Sequence, residues 1–120
     1  MLKKFFIETS TGRKDLQIEI ADSFIGRLIG LIGRKNLPQG HGLLISPCNS
    51  VHMMFMRFPI DVVYLDENFC VKKIVHNLQT WTGISFCFGA KAVIEFAAGE
   101  SERLNLKVGD KIFQSIFSSE

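Results

Sequence analysis

Long apolar runs are missing from this sequence. No uninterrupted stretch approaches the roughly 18 residues that cross a bilayer as a helix. The N-terminal MLKKFFIETSTGRKD has only three apolar residues together, Phe5 to Ile7, before Glu8, whereas a secretory leader needs about 7–15. The expectation is a cytoplasmic protein with no membrane partner. Paired cysteines are missing too: Cys48, Cys70 and Cys87 are odd in number, irregularly spaced and without a C-x-x-C. That pattern excludes a disulfide framework and the usual zinc spacings. Nor does one sign of charge dominate. The net charge is +2, and acidic residues separate the basic pairs Lys3-Lys4, Arg13-Lys14, Arg34-Lys35 and Lys72-Lys73. No continuous basic stripe exists for a nucleic acid to follow.

Apolar side chains, by contrast, are plentiful. Hydrophobic residues make up 47% of the 120 positions and phenylalanine alone supplies 11, against 22% charged residues. That composition belongs to a folded globule, and the length to a single domain over 1–120 with a self-sufficient core. Lys3 to Glu8 and Leu16 to Ala21 flank a Ser-Thr-Gly turn, and Leu16, Ile18 and Ile20 alternate with Gln17 and Glu19. Period two is the mark of a half-buried strand, so a first hairpin is expected.

The period then changes. ADSFIGRLIGLIGRKNL carries Phe24, Leu28 and Leu31 on one stripe, with Ile25, Ile29 and Ile32 beside it and Asp22 or Ser23 as a cap. This predicts an amphipathic helix, in which Gly26, Gly30 and Gly33 allow close packing. No Gly-Lys-Ser/Thr follows, and the spacing fits no phosphate loop. Ile60 to Leu65 and Phe69 to Val75 predict a second hairpin around Asp66-Glu67-Asn68, with Asn68 in the left-handed conformation. Asn77 to Gly89 reads as a loop, Ala92 to Phe96 as a strand, AGESERLNLKVGD as a short helix or turn, and Lys111 to Phe117 as the last strand. The predicted class is α+β: mainly antiparallel, barrel-like, with seven or eight strands, one amphipathic helix and one short helix.

Chemistry concentrates in PCNSVHMMFMRFPID, positions 47 to 61. An extended chain would put Cys48, Ser50, His52, Met54 and Met56 on one face, expected to point inward. The bland reading is sulfur packing in a phenylalanine-rich core. A second is a ligand site in which Arg57 anchors an anion. A third is an enzyme using Cys48 or a His52/Asp61 acid–base pair, and a fourth is a Cu(I) site built on thiol, imidazole and thioether. Arg57 and Asp61 flank the Phe58-Pro59 kink and are expected to pair across it. Glu95 stands in an apolar strand and, if buried, needs a partner such as Arg27 or Arg57.

RLIGLIGRKNLPQGHGLLI, CNSVHMMFMRFPIDVVYLDENFCVKKI and AVIEFAAGESERLNLKVGD, in that order, resemble the family known as domain of unknown function 192. The resemblance spans roughly positions 15 to 113. It departs at Ile32, where the family usually has Met, and at Gln79-Thr80-Trp81, where one branch has Pro-Trp. It implies a compact, mostly β domain and no established activity. The expected role is therefore a non-enzymatic binding or accessory module for a small anionic ligand or a protein partner. Its contacts would be Cys48, His52, Arg57, Asp61 and Trp81, with no cofactor and no resident metal.

Overall fold

The computed structural model of the chain describes residues 2–21 and 30–115. In chain order the strands are β1 (Leu2–Thr9), β2 (Gly12–Ala21), β3 (His41–Ile45), β4 (Ser50–His52), β5 (Ile60–Leu65), β6 (Val71–Leu78), β7 (Ile84–Phe86), β8 (Ala92–Ala97) and β9 (Ile112–Gln114). The one helix among the described residues is α1 (Glu100–Arg103), between β8 and β9. Both predicted hairpins form. β1 pairs with β2 from Leu2↔Glu19 to Thr9↔Gly12, and β5 pairs with β6. The second turn is held by Asp66, whose Oδ1 accepts the N–H groups of Asn68 at 2.8 Å and Cys70 at 3.0 Å. Those bonds shift the left-handed residue from Asn68 to Phe69, at φ 61°.

Seven strands make one sheet in the order β6-β5-β8-β3-β2-β1-β9, and β4 and β7 make a separate two-stranded ribbon. The large sheet curls until its two edges approach. Cys70 bridges Lys111, Val71 donates its N–H to the Asp110 carbonyl at 2.8 Å, and Ile112 donates to Phe69 at 3.0 Å. The result is a mostly β half-barrel, as the barrel-like expectation requires. One pairing departs from the antiparallel rule. β2 and β3 run parallel, from Gln17↔His41 to Ala21↔Ile45, because the long segment between them carries the chain back to the same end of the sheet.

Most of the expected amphipathic helix, residues 22–29, lies outside the described residues. Its described remainder is not helical: Gly30 (φ 56°) and Gly33 (φ 88°) adopt left-handed conformations in a turn around buried Leu31. These glycines serve a chain reversal, which a Cβ would oppose, and not helix packing.

The curled sheet separates two cores. Phe5, Ile7, Leu16, Ile18, Leu44, Val63, Leu65, Ile94 and Phe96 fill its concave side. Leu43, Ile45, Val62, Tyr64 and Val93 face the other side, where Val51, Met53, Met56 and Leu31 cover them. β3, β5 and β8 are buried on both faces, which is why GLLI, VVYL and AVI read as unbroken apolar runs.

Candidate functional site

The sulfur-rich stretch is not one extended ribbon. It is a strand only over Ser50–His52, and a turn follows, closed by the Met56 N–H on the Met53 carbonyl at 3.1 Å. The expected inward face is therefore overturned: His52 is exposed and Met54 half exposed, while Val51, Met53 and Met56 are buried. The ribbon of β4 and β7 lies over the outer face of the sheet, so Val51 turns to the core and its neighbours Ser50 and His52 turn away. The turn after His52 then returns Met56 to the interior. With Met54 and Met56 on opposite sides, the soft donors of the Cu(I) reading do not converge. Among the described residues no three His, Cys, Asp or Glu side chains cluster to hold a metal ion.

Along β4 lies a cavity of about 140 Å³, walled by Leu31, Ile45, Val51, Met53, Met56 and Ile60. Cys48, Ser50 and His52 also border it, and Glu95 enters from β8. Strand alternation explains this last placement: Ile94 and Phe96 point into the concave core, so Glu95 points with Val93 toward the other side. Glu95 is 6% exposed, and among the described residues it makes no hydrogen bond or ion pair. Burial pushes its carboxyl up to about 7. A Cβ on Gly30 would stand 3.8 Å from its Oε1, so the carboxyl also borders that turn. The Cys48 thiol lies 3.1 Å from the Ser50 carbonyl oxygen, to which it donates. Burial, and behind it the Glu95 carboxyl, push that thiol up against an opposing backbone bond at Ser50. Tyr64 lies beneath, its hydroxyl 2.9 Å from Ser85 Oγ.

The other expected site residues go elsewhere. Arg57 is exposed and does not pair with Asp61. Asp61 is fully buried, and its acceptors are already used: Oδ1 by the Asn77 N–H at 2.9 Å, and Oδ2 by Gly99 N–H at 3.1 Å, Ser101 N–H at 2.9 Å and Ser101 Oγ at 2.6 Å. Burial works to raise this carboxyl, but these donors together outweigh it and hold it below its ordinary value. The imidazole linked to Asp61 is His76, whose Nδ1 lies 3.0 Å from Ser101 Oγ, so the His52/Asp61 pair does not form. The hydroxyl proton goes to Asp61, which leaves Nδ1 of His76 as the donor. Ser101 and His76 gave no signal in sequence, since the contact joins β6 to α1 across 25 positions. Trp81 is exposed and meets Phe55 edge to face at 5.0 Å, outside the cavity. Arg27, the other partner expected for Glu95, lies outside the described residues.

The sequence pattern of the domain of unknown function 192 family, given as "Uncharacterized ACR", matches residues 6–113. A UPF0127 protein of Pyrococcus furiosus is 35% identical over 111 residues, covering 85% of this chain and 91% of its own. One of Pyrococcus horikoshii is 36% identical over 101 residues, covering 80% and 85%. Two solved structures share the fold. A protein of unknown function from Novosphingobium aromaticivorans superposes with a TM-score of 0.84 at 23% identity, covering 92% of this chain and 84% of that one. A putative transcription regulator from Sinorhizobium meliloti does so with a TM-score of 0.87 at 22% identity, covering 95% and 94%.

Proposed function

Because the chain belongs to the domain of unknown function 192 family, itself uncharacterised, we propose a role from its own geometry: a binding module whose pocket between β4 and β8 takes a small, mostly apolar ligand. The observation that carries this reading is Glu95, a buried carboxyl with no partner among the described residues, facing an apolar cavity. Burying a polar group unpaired costs roughly 1–3 kcal/mol, which a ligand's hydrogen bond offsets. Size narrows the occupant. A cavity of about 140 Å³ is close to the roughly 150 Å³ that accepts benzene, and far below the space a nucleotide cofactor needs.

Charge narrows it further. Arg57 does not border the cavity, and among the described residues no Lys or Arg lines it. Among the described residues an anion would meet Glu95 without a counter-charge, which favours a neutral or cationic occupant with a hydrogen-bonding group for the carboxyl. This replaces the anionic ligand expected from Arg57. Cys48 supports binding over nucleophilic chemistry, since its surroundings favour the thiol over the thiolate.

The test uses Cys48 as reporter. Benzyl alcohol, benzylamine and benzoate are added separately while Cys48 alkylation is followed by mass spectrometry. The alcohol or the amine is expected to slow alkylation, and benzoate to have no effect above pH 7. Equal indifference of Cys48 to all three, with no rise in melting temperature, sinks the proposal.

A further inference from the structure

The outward side of the β4–β7 ribbon carries Ser50 and His52 from β4 and two exposed apolar side chains, Ile84 and Phe86, from β7. Ile84 lies opposite His52 and Phe86 opposite Ser50, so both side chains project away from the core. Ile84 is 77% exposed and Phe88, just beyond β7, is 87% exposed. Beside them the Phe55–Trp81 pair extends the surface, and Met54 adds to it. Exposed apolar residues scattered singly need no explanation, but six gathered on one ribbon and its two loops do.

The chain holds this surface under strain. Phe55 and Trp81 adopt left-handed backbone conformations, at φ 66° and 67°, which bulky side chains seldom occupy. The two loops are tied together, Trp81 N–H to the Met53 carbonyl at 2.8 Å and Met53 N–H to the Gly83 carbonyl at 2.9 Å. Strain maintained to present two aromatic rings to solvent has no evident use in packing.

The surrounding charge is positive. Lys73 Nζ donates to the Phe86 carbonyl at 2.9 Å, and Lys72 Nζ lies 3.7 Å from where a Cβ on Gly89, next to Phe88, would stand. Arg57 and Lys91 lie on the same two segments, and positions 46–60 and 68–94 contain no Asp or Glu. Asp66 is the carboxylate near Lys72, and it is engaged with the turn N–H groups of Asn68 and Cys70.

We infer that this ribbon, with its tied 53–56 and 79–83 loops, docks on an anionic lipid surface, its aromatic side chains entering the headgroup layer and its lysines meeting phosphate. A second copy of the chain fits less well, since an isologous contact would bring the lysines together. A folded acidic partner would need pockets matched to side chains that stand free of the surface, whereas a lipid headgroup layer deforms around them. Trp and Phe at the boundary beside Lys and Arg are the composition of an interfacial anchor. Surface docking needs no spanning segment, so the lack among the described residues of a helix long and apolar enough to cross a membrane does not bear on it.

Trp81 is the chain's single tryptophan and reports on the patch directly. The full chain is titrated with phosphatidylglycerol vesicles and with phosphatidylcholine vesicles, following Trp81 emission and flotation. The expected result is a blue shift and flotation with phosphatidylglycerol, at least tenfold weaker with phosphatidylcholine or in about 0.5 M salt. The double variant Ile84→Ser/Phe88→Ser, at the two most exposed positions, should keep the wild-type circular dichroism and bind at least tenfold less. No flotation with phosphatidylglycerol at low salt overturns the inference, as does equal binding by wild type and the variant. A concentration-dependent dimer that shifts Trp81 emission without vesicles overturns it in favour of self-association.

Discussion

Glu95 is set among Val93, Ile45 and Met56 by nothing more than its place in an alternating strand, and its burial has a consequence that can be measured. Its folded value of about 7 lies above the ordinary 4.5, so between those two pH values the unfolded chain has released a proton that the folded chain retains. Stability from this group is therefore greatest below pH 4.5 and falls as pH rises toward 7, by about 3 kcal/mol. Glu95→Gln removes the ionisation. Chemical denaturation should find this variant more stable than wild type at pH 8, with the difference shrinking toward pH 4; a constant difference at both pH values contradicts the assignment. Cys48 follows the same logic at the pocket's rim. Its alkylation at pH 8 should run several-fold slower than that of a cysteine in a short unstructured peptide, and a rate equal to the peptide's would mean that the thiol is not shielded.

At the scale of elements, Asp61 is a tie between strands and helix. Its carboxylate accepts from β6 through Asn77 and from the start of α1 through Gly99 and Ser101, doing from a distance what an N-capping side chain does locally. Because its carboxyl is held below the ordinary value, this stabilisation is present above the unfolded pKa and is lost as pH falls through the folded one. Asp61→Asn would turn an amide NH₂ toward a backbone donor whichever way it rotates. We expect roughly 2–4 kcal/mol of lost stability at pH 7 by denaturant titration. A loss below about 0.5 kcal/mol would show that the donors are satisfied by something else. Gly83 plays a comparable part in the outer loops. A Cβ there would run into the Gln79 carbonyl oxygen, which cannot move without opening the Gly83 N–H to Gln79 bond. Gly83→Ala should lower the melting temperature by several degrees and change Trp81 emission, and an unchanged spectrum would dissociate the loop from Trp81.

Over the whole molecule, three isoleucines of identical chemistry occupy three environments. Ile94 is buried in the concave core, Ile60 is buried on the opposite side of the sheet, and Ile84 is exposed on the ribbon. Truncation to Ala should cost about 2–5 kcal/mol at each of the first two positions and within about 0.5 kcal/mol at the third. A small loss at Ile60 would mean that the ribbon does not form a second packed layer.

How much of this could be read in advance depends on the range of the interaction. Leu16, Ile18 and Ile20 announced β2 through alternation alone, and Asp66-Glu67-Asn68 announced the β5–β6 turn, because strand period and turn chemistry are local properties of the chain. Locality is not enough at positions 30–33, where apolar spacing fits a helix and the two left-handed glycines make a turn instead. At 48–56 the alternation continues in sequence through Met54 and Met56, yet only Ser50–His52 pair with β7. β7 itself, the parallel alignment of β2 with β3, and the link from Asp61 through Ser101 to His76 join distant segments. None has a periodicity to reveal it.

By itself, then, the order of residues determined a single β-rich domain, its hairpins and its doubly buried strands, since burial on one face or two is written into hydrophobic period. Tertiary structure alone decided that Glu95 faces a cavity with no partner among the described residues, that Asp61 is spent on holding α1, and that the apolar side chains of β7 stand in solvent. Each of those outcomes depends on which surface covers which, and that is a property of the packed layers.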